Sequence, residues 1–205
     1  MPKATLLRER QVELTRDLIL EALADLIAEG YLAEFSTQDV ADRAGVSLRT
    51  VYRHFADREA LLDGLIAWGQ ERLRAAGGMD LPVSADDIAA LVRVKFAVLE
   101  RFPSLMVAAA KLDSATGVET EMAARSLQAI RSTLAELTAG MDPKLAEAAV
   151  WMIRIIWSHK TWAVLHEEAG LDAANAGAAA AWAIEVLIEA LREGRGPTLE
   201  EDGHP

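Results

Sequence analysis

No cysteine occurs among the 205 residues, which excludes a disulfide framework, a thiolate zinc site and a cysteine nucleophile. That absence also suits a reducing compartment. No run approaches the roughly 18 uncharged apolar residues that would span a membrane. The opening stretch MPKATLLRERQVELTR mixes charges and lacks the apolar core of a signal peptide. The chain is therefore expected to be soluble and cytoplasmic, with no membrane partner. Also missing are β-period segments, internal repeats, a glycine-rich phosphate loop, zinc-ligand spacing and, on the expected helices, any Glu-x-x-His pair. No cofactor is expected, and no catalytic residue.

What is present is apolar and helical in period. A hydrophobic content of 52% at this length supplies a substantial core. Residues 1–14 read as a polar, flexible arm. From Thr15 the pattern Leu18, Ile19, Ala22, Leu23, Leu26, Ile27 is that of an amphipathic helix closed by Gly30. A helix-turn-helix follows, and Asp57 caps a fourth helix reaching about Ala75, which completes a domain of residues 15–75. Gly77, Gly78 and Pro82 mark a boundary. Residues 84–194 then read as a larger helical bundle. Ser84 and Asp87 open its first helix, through Arg101, with a capping box, and Pro103 begins a short helix ending near Thr116. Another helix is expected over 118–139, a long one from Asp142-Pro143 to about Glu168, and a last one from Ala176 to Arg192. The tail 195–205 is expected to be disordered. The fold class is all-α.

The stretch Phe35–Leu62, FSTQDVADRAGVSLRTVYRHFADREALL, carries the strongest signal. Thr37 is a natural cap for a helix through Arg43, with Val40, Ala41 and Ala44 on its inner face. Gly45 suits the left-handed residue that ends it, and Ser47 caps a second helix, Leu48 to His54, with Val51 turned inward. Leu48, Arg49, Thr50, Arg53 and His54 are left to point outward, with Tyr52 on the flank. A polar, basic second helix of this kind lies in a DNA major groove. The net charge of −11 argues against that only as an average. Between Arg43 and Arg58 four arginines face one acid, Asp57, whereas residues 63–205 hold 13 basic and 21 acidic side chains. At a screening length of about 8 Å a local basic patch acts on phosphates while distant acids do not.

These residues resemble the signature of the TetR-type transcriptional regulators. The resemblance covers roughly residues 12 to 70 and rests on Thr37, Ala41, Ala44-Gly45-Val46-Ser47, Thr50, Tyr52, His54-Phe55 and Glu59-Leu61-Leu62 at fixed offsets. Arg58 stands where lysine is usual, and Leu48 where a polar or small residue is common. The resemblance implies an amino-terminal three-helix DNA-binding domain followed by a ligand-binding and dimerisation domain. It implies a dimeric repressor, released from a pseudo-palindromic operator in double-stranded DNA by a small effector. Thr37 and Ser47 would hold phosphate at helix starts. Arg49 would read guanine through O6 and N7, and Thr50, Tyr52, His54 and Arg58 would contact phosphate. Leu48 and Arg53 complete the expected DNA face.

The effector side is read from stranded chemistry. Trp151, Trp157 and Trp162, with Met106, Met122, Met152, Phe96 and Phe102, supply apolar surface for a pocket between helices. Arg93, Lys95, Arg154, Ser158 and His159 are polar groups in apolar helices and must find partners or a ligand. Arg154 and Ser158, four apart on the expected long helix, share a face. The candidate lining is Arg93, Phe96, Met106, Met122, Trp151, Arg154, Ile155, Ser158, His159 and Trp162, suited to a hydrophobic or amphipathic effector. Apolar residues nearly all round WMIRIIWSHKTWAVL, and the small face Ala176, Ala179, Ala180, Ala183 beside Trp182, Val186, Leu187 and Leu191, point to a homodimer through the last two helices. The competing readings are a helical-bundle enzyme or metal protein using His159 and His166, and a small-molecule-binding module that has lost its DNA activity.

Overall fold

A computed structural model of the protein describes residues 3–116 and 121–197. The described residues are helical throughout, in ten helices with no strand: α1 Lys3–Ala28, α2 Thr37–Ala44, α3 Leu48–His54, α4 Arg58–Ala75, α5 Ala85–Leu99, α6 Pro103–Thr116, α7 Glu121–Thr138, α8 Pro143–Ile156, α9 His159–Glu167 and α10 Ala173–Arg192. The first two residues of the expected arm, residues 118–120 of the expected 118–139 helix and most of the expected tail (198–205) lie outside the described residues.

The chain divides into two units, and the division is not a simple cut. Unit one holds α1 to α4 together with Phe102–Thr116, so α6 belongs with the amino-terminal helices although the sequence places it among the later ones. The reason is on α1. Ile19, Leu23 and Ile27 form the expected inner face, but Leu20 and Ala24 are buried as well, while Leu18, expected inside, is exposed. That second buried face packs on α6, which brings Leu105, Met106, Val107, Ala108 and Leu112 into the core. Lys111 of α6 donates to the Ala28 carbonyl, satisfying one of the open carbonyls at the end of α1.

Helix α1 also begins at Lys3, well before Thr15. No glycine or proline interrupts residues 3–28, so nothing breaks the helix. Thr15, rather than capping it, donates its hydroxyl back to the Gln11 carbonyl at 2.8 Å within the helix.

Unit two comprises α5 and α7 to α10. Its spine is the pairing of α10 with α5. The small residues of α10 are spent here: Ala176, Gly177, Ala180 and Ala181 are buried, with Ile184, Ile188 and Leu191 continuing the face. A methyl group added at Gly177 would stand 3.3 Å from the Arg93 backbone, a tight contact that would push the two helices apart by a few tenths of an ångström. The close-packing face read as an intersubunit surface is thus an internal one, and of that face Ala179 is exposed and Ala183 only half-buried. Ion pairs rim the seam, Arg93 with Glu185 at 3.5 Å and Arg192 with Asp86.

The expected helix from Pro143 to Glu168 is broken in two. Trp157 ends α8, and Ser158 takes extended backbone (φ −78, ψ 155) to cap α9, its hydroxyl accepting from the Thr161 amide at 3.1 Å. A serine three residues before a threonine offers the backbone this alternative to continuing the helix. Ser158 and Arg154 therefore do not share a helical face.

Candidate nucleic-acid interface

Helix α2 is set by a capping box that the sequence places one residue earlier than expected. Ser36, not Thr37, is the cap. Its hydroxyl accepts from the Asp39 amide at 3.2 Å, and the Asp39 carboxylate accepts from the Ser36 amide at 2.7 Å. The Ser36 hydroxyl also donates to the Asp39 carboxylate at 2.7 Å, and this bond, then the one from the Ser36 amide, holds the Asp39 carboxyl below its ordinary value. Thr37 becomes the first helical residue, half-buried where the first amides of α2 are open. The turn is made by Gly45 at φ +66, whose amide bonds back to the Asp42 carbonyl. Helix α3 then starts at Ser47, whose hydroxyl accepts from the Thr50 amide at 3.1 Å and shares a 2.8 Å bond with the Thr50 hydroxyl.

Val51 is fully buried, and this fixes what faces out. Arg49, Tyr52 and Arg53 lie on the opposite, exposed side, three and four residues apart, with Tyr52 51% exposed. Leu48 and Thr50 flank them and are half-buried. Among the described residues, neither Arg49 nor Arg53 has an ion pair or hydrogen bond. Both guanidiniums stand in solvent, uncommitted.

The other two arginines of the local count are committed. Arg43 makes a two-bond ion pair with Glu29, at 2.8 and 2.7 Å, which cancels its charge. Arg58 was expected on phosphate; its guanidinium instead lies 3.7 Å from the centroid of the Phe35 ring and donates to the carbonyls of Phe35 and Leu32. It fastens the loop between α1 and α2. His54, expected to point outward, is half-buried, and its Nε2 is enclosed without a partner. Burial first, then the charges of Arg53 and Arg16, lower its pKa, so the ring is held toward the neutral form. The structure thus narrows nine candidates to an outward core of Arg49, Tyr52 and Arg53, with Thr37, Ser47, Leu48 and Thr50 around it.

This face is braced from behind. The Trp68 indole of α4 donates to Asp17 of α1 at 2.8 Å, and Arg72 of α4 pairs with Asp17 at 3.1 Å while lying over the Trp68 ring. A shallow depression beside α3 is lined by Phe35, Ser36, Thr37, Gln38, Leu48, Tyr52 and Arg58, so Arg58 borders this face even while it holds the loop. Gln38, absent from the sequence-based set, is exposed there at the start of α2, and only its position next to Thr37 could have flagged it.

The candidate effector residues scatter more widely. Met106 is buried in unit one. In unit two Phe96 and Trp162 are fully buried and Ser158 is buried as a cap, whereas Met122, Arg154 and His159 are half-buried. Arg93 is exposed and paired with Glu185. Trp151 and Ile155 are exposed with Met152 on the outward side of α8, opposite the buried Val150 and Ile153. Sequence reasoning left Lys95 and Trp157 out of the lining set, although Lys95 lies 4.9 Å over the Trp157 ring inside this unit.

A capped helix, a glycine turn and a second helix presenting two unpaired arginines and a tyrosine define the unit as a helix-turn-helix of the DNA-binding kind. Residues 19–65 match the model of the family described as bacterial regulatory proteins, tetR family. Over this stretch the chain is similar to that family's amino-terminal domain. The fold extends the likeness over most of the chain. A protein from Rhodococcus sp. assigned to the TetR family of transcriptional regulators superposes with a TM-score of 0.62 at 21% identity, over 85% of this chain and 98% of its own. A TetR-family transcription regulator from Marinobacter aquaeolei VT8 gives 0.58 at 15%, over 93% and 100%. A transcriptional regulator from Rhodococcus sp. Rha1 gives 0.52 at 21%, over 90% and 99%. At these identities the likeness is one of fold. No curated protein matches the chain.

Proposed function

We propose that the protein is a homodimeric repressor that holds a pseudo-palindromic operator through α3 and lets it go when a small hydrophobic or amphipathic effector enters unit two. The observation that carries the DNA half is the pair of uncommitted guanidiniums, Arg49 and Arg53, beside Tyr52 on the outward side of α3. Arg49 reads a base and the others fix register on phosphates.

Dimerisation is supported by apolar surface that the chain does not cover. Trp151, Met152 and Ile155 on α8 and Trp182, 66% exposed, with Val186 on α10 leave large side chains in water. Exposed apolar residues gathered on the elements of one unit mark an interaction surface. A dimer holding a pseudo-palindrome needs its two α3 helices about 34–36 Å apart, one turn of DNA.

Effector release requires that the two units be coupled; α4 leads directly into unit two at Ala76, and the chain connectivity supports a second route. The chain leaves unit two after Arg101, forms α6 on α1, and returns to unit two beyond 116. Movement of α5 or α7 is transmitted covalently to α6, and from α6 to α1 through the Lys111 bond. An effector shifts this equilibrium only by its differential affinity for the two states. A cytoplasmic location, where such an operator would be met, belongs to the same reading.

Fluorescence anisotropy on duplex DNA from upstream of the protein's own gene, with sedimentation equilibrium alongside, tests the proposal. Saturable binding by a dimer that weakens steeply with salt supports it. Salt-insensitive or absent binding would overturn the DNA half, and a monomer at micromolar concentration the other.

A further inference from the structure

Inside unit two a set of polar groups lies among fully buried rings. Lys95 of α5 points its ammonium over the face of Trp157, 4.9 Å from the centroid. Although the residue as a whole is half-buried, its charged end is enclosed deeply enough that desolvation, helped by the nearby charge of Arg154, pulls its pKa from the ordinary 10.5 to about 7. Among the described residues no acceptor lies within hydrogen-bonding distance of this ammonium. Arg154, whose charge acts on Lys95, has an interaction of its own.

A second uncommitted donor belongs to the same unit. Trp162 of α9 is fully buried and its indole N–H has no acceptor. The His166 ring stacks on it at 4.8 Å between centroids. His166 Nδ1 in turn stands 3.7 Å from the Glu100 carboxylate, beyond hydrogen-bonding distance. Phe96, Ile153, Trp157 and Trp162 are each at most 1% exposed. Unit two thus holds a cation over an aromatic ring with no hydrogen-bond acceptor and, separately, a buried N–H donor without one. A buried ammonium without an acceptor is costly, and an anion supplied from outside satisfies it by a charge-assisted bond.

We propose that unit two takes an organic monoanion, a single carboxylate on an apolar body, with Lys95 holding the carboxylate and the Trp157 and Phe96 side chains bounding the apolar part. The proposal rests on the reading of unit two as the effector-binding domain and gives that effector a chemical class. A cation beside apolar rings suits a negatively charged head on an apolar body. A neutral or cationic ligand would leave the Lys95 ammonium as it is or repel it.

The test uses the full-length protein and two matched series, octanoate with octanol and octylamine, and 3-phenylpropionate with 3-phenylpropanol and 3-phenylpropylamine. Affinities are read by calorimetry at pH 7. In at least one series the carboxylate is expected to bind about tenfold or more tighter than its alcohol, with the amine weakest. Lys95→Met is expected to erase the preference and Lys95→Arg to retain it, with thermal melts showing that both fold. An alcohol or amine that binds as well as its carboxylate, a preference that survives Lys95→Met, or no binding in either series would overturn the proposal. The regulatory reading is scored separately by anisotropy on operator DNA. A carboxylate that binds through Lys95 yet leaves the DNA complex intact upholds this site and overturns the effector role.

Discussion

Arg49 on α3 and Lys95 on α5 are both cations without a salt-bridge partner among the described residues, and their surroundings set them apart. Arg49 stands in water on a short, doubly capped helix, free to move onto a base edge. Lys95 lies against Trp157 among buried rings, where its charge is held at a cost and its pKa falls to about 7. The first arrangement suits a large, highly charged partner met at the surface, since a solvated guanidinium exchanges water for phosphate or guanine with little penalty. The second suits a small partner that enters and brings its own charge. On the proposed reading, one chain would use exposed charge for recognition and enclosed charge for response.

The comparison can be broken most strongly at α3. Arg49→Ala combined with Arg53→Ala is expected to lower operator affinity on the order of 100-fold, while Arg43→Ala, whose charge Glu29 already cancels, changes it little. Anisotropy titrations check both. The next effect lies in unit two. Gly177→Val places a branched side chain against the Arg93 backbone and is expected to cost about 1–3 kcal/mol, seen in denaturant unfolding. Ser36→Ala is expected to cost about 1 kcal/mol of stability through loss of the α2 cap, and Thr37→Ala markedly less, because Thr37 caps nothing. The smallest effect is the pH signature of Lys95. Between about pH 7 and its ordinary 10.5, the unfolded chain binds a proton at this lysine that the folded chain does not. Its contribution to stability therefore rises with pH across that window, by less than about 1 kcal/mol per unit once residual solvent screening is allowed for. Melting curves from pH 7 to 10 should show wild type gaining on Lys95→Met.

Legibility in the sequence followed how local the signal is. Gly45 and Ser47 were readable because turn and cap chemistry depend on residues within three positions. The cap of α2 was misplaced by one because Ser36 and Thr37 both carry hydroxyls, and only Asp39, three residues after Ser36, picks out the first. The break at Ser158 was hidden by the apolar residues around it, although Ser158 and Thr161 hold the same kind of local signal. The burial of Arg58 on Phe35, the seating of α6 on α1 and the use of the α10 alanines against α5 were not readable. Each depends on a residue brought close from far along the chain, and helical spacing fixes a face without naming what covers it. For the same reason the stranded polar residues were recognisable as a class, while the enclosed charge at Lys95 required the fold.

The most direct test of the central claim, that Arg49 on each α3 of a dimer reads DNA, is selection of binding sites from a random duplex pool by wild type and by Arg49→Ala. The account predicts that wild type enriches a pseudo-palindrome with half-sites about one helical turn apart, and that Arg49→Ala loses its guanine preference at the same position in both halves. An enriched site without two-fold symmetry, or one that Arg49→Ala leaves unchanged, would contradict it.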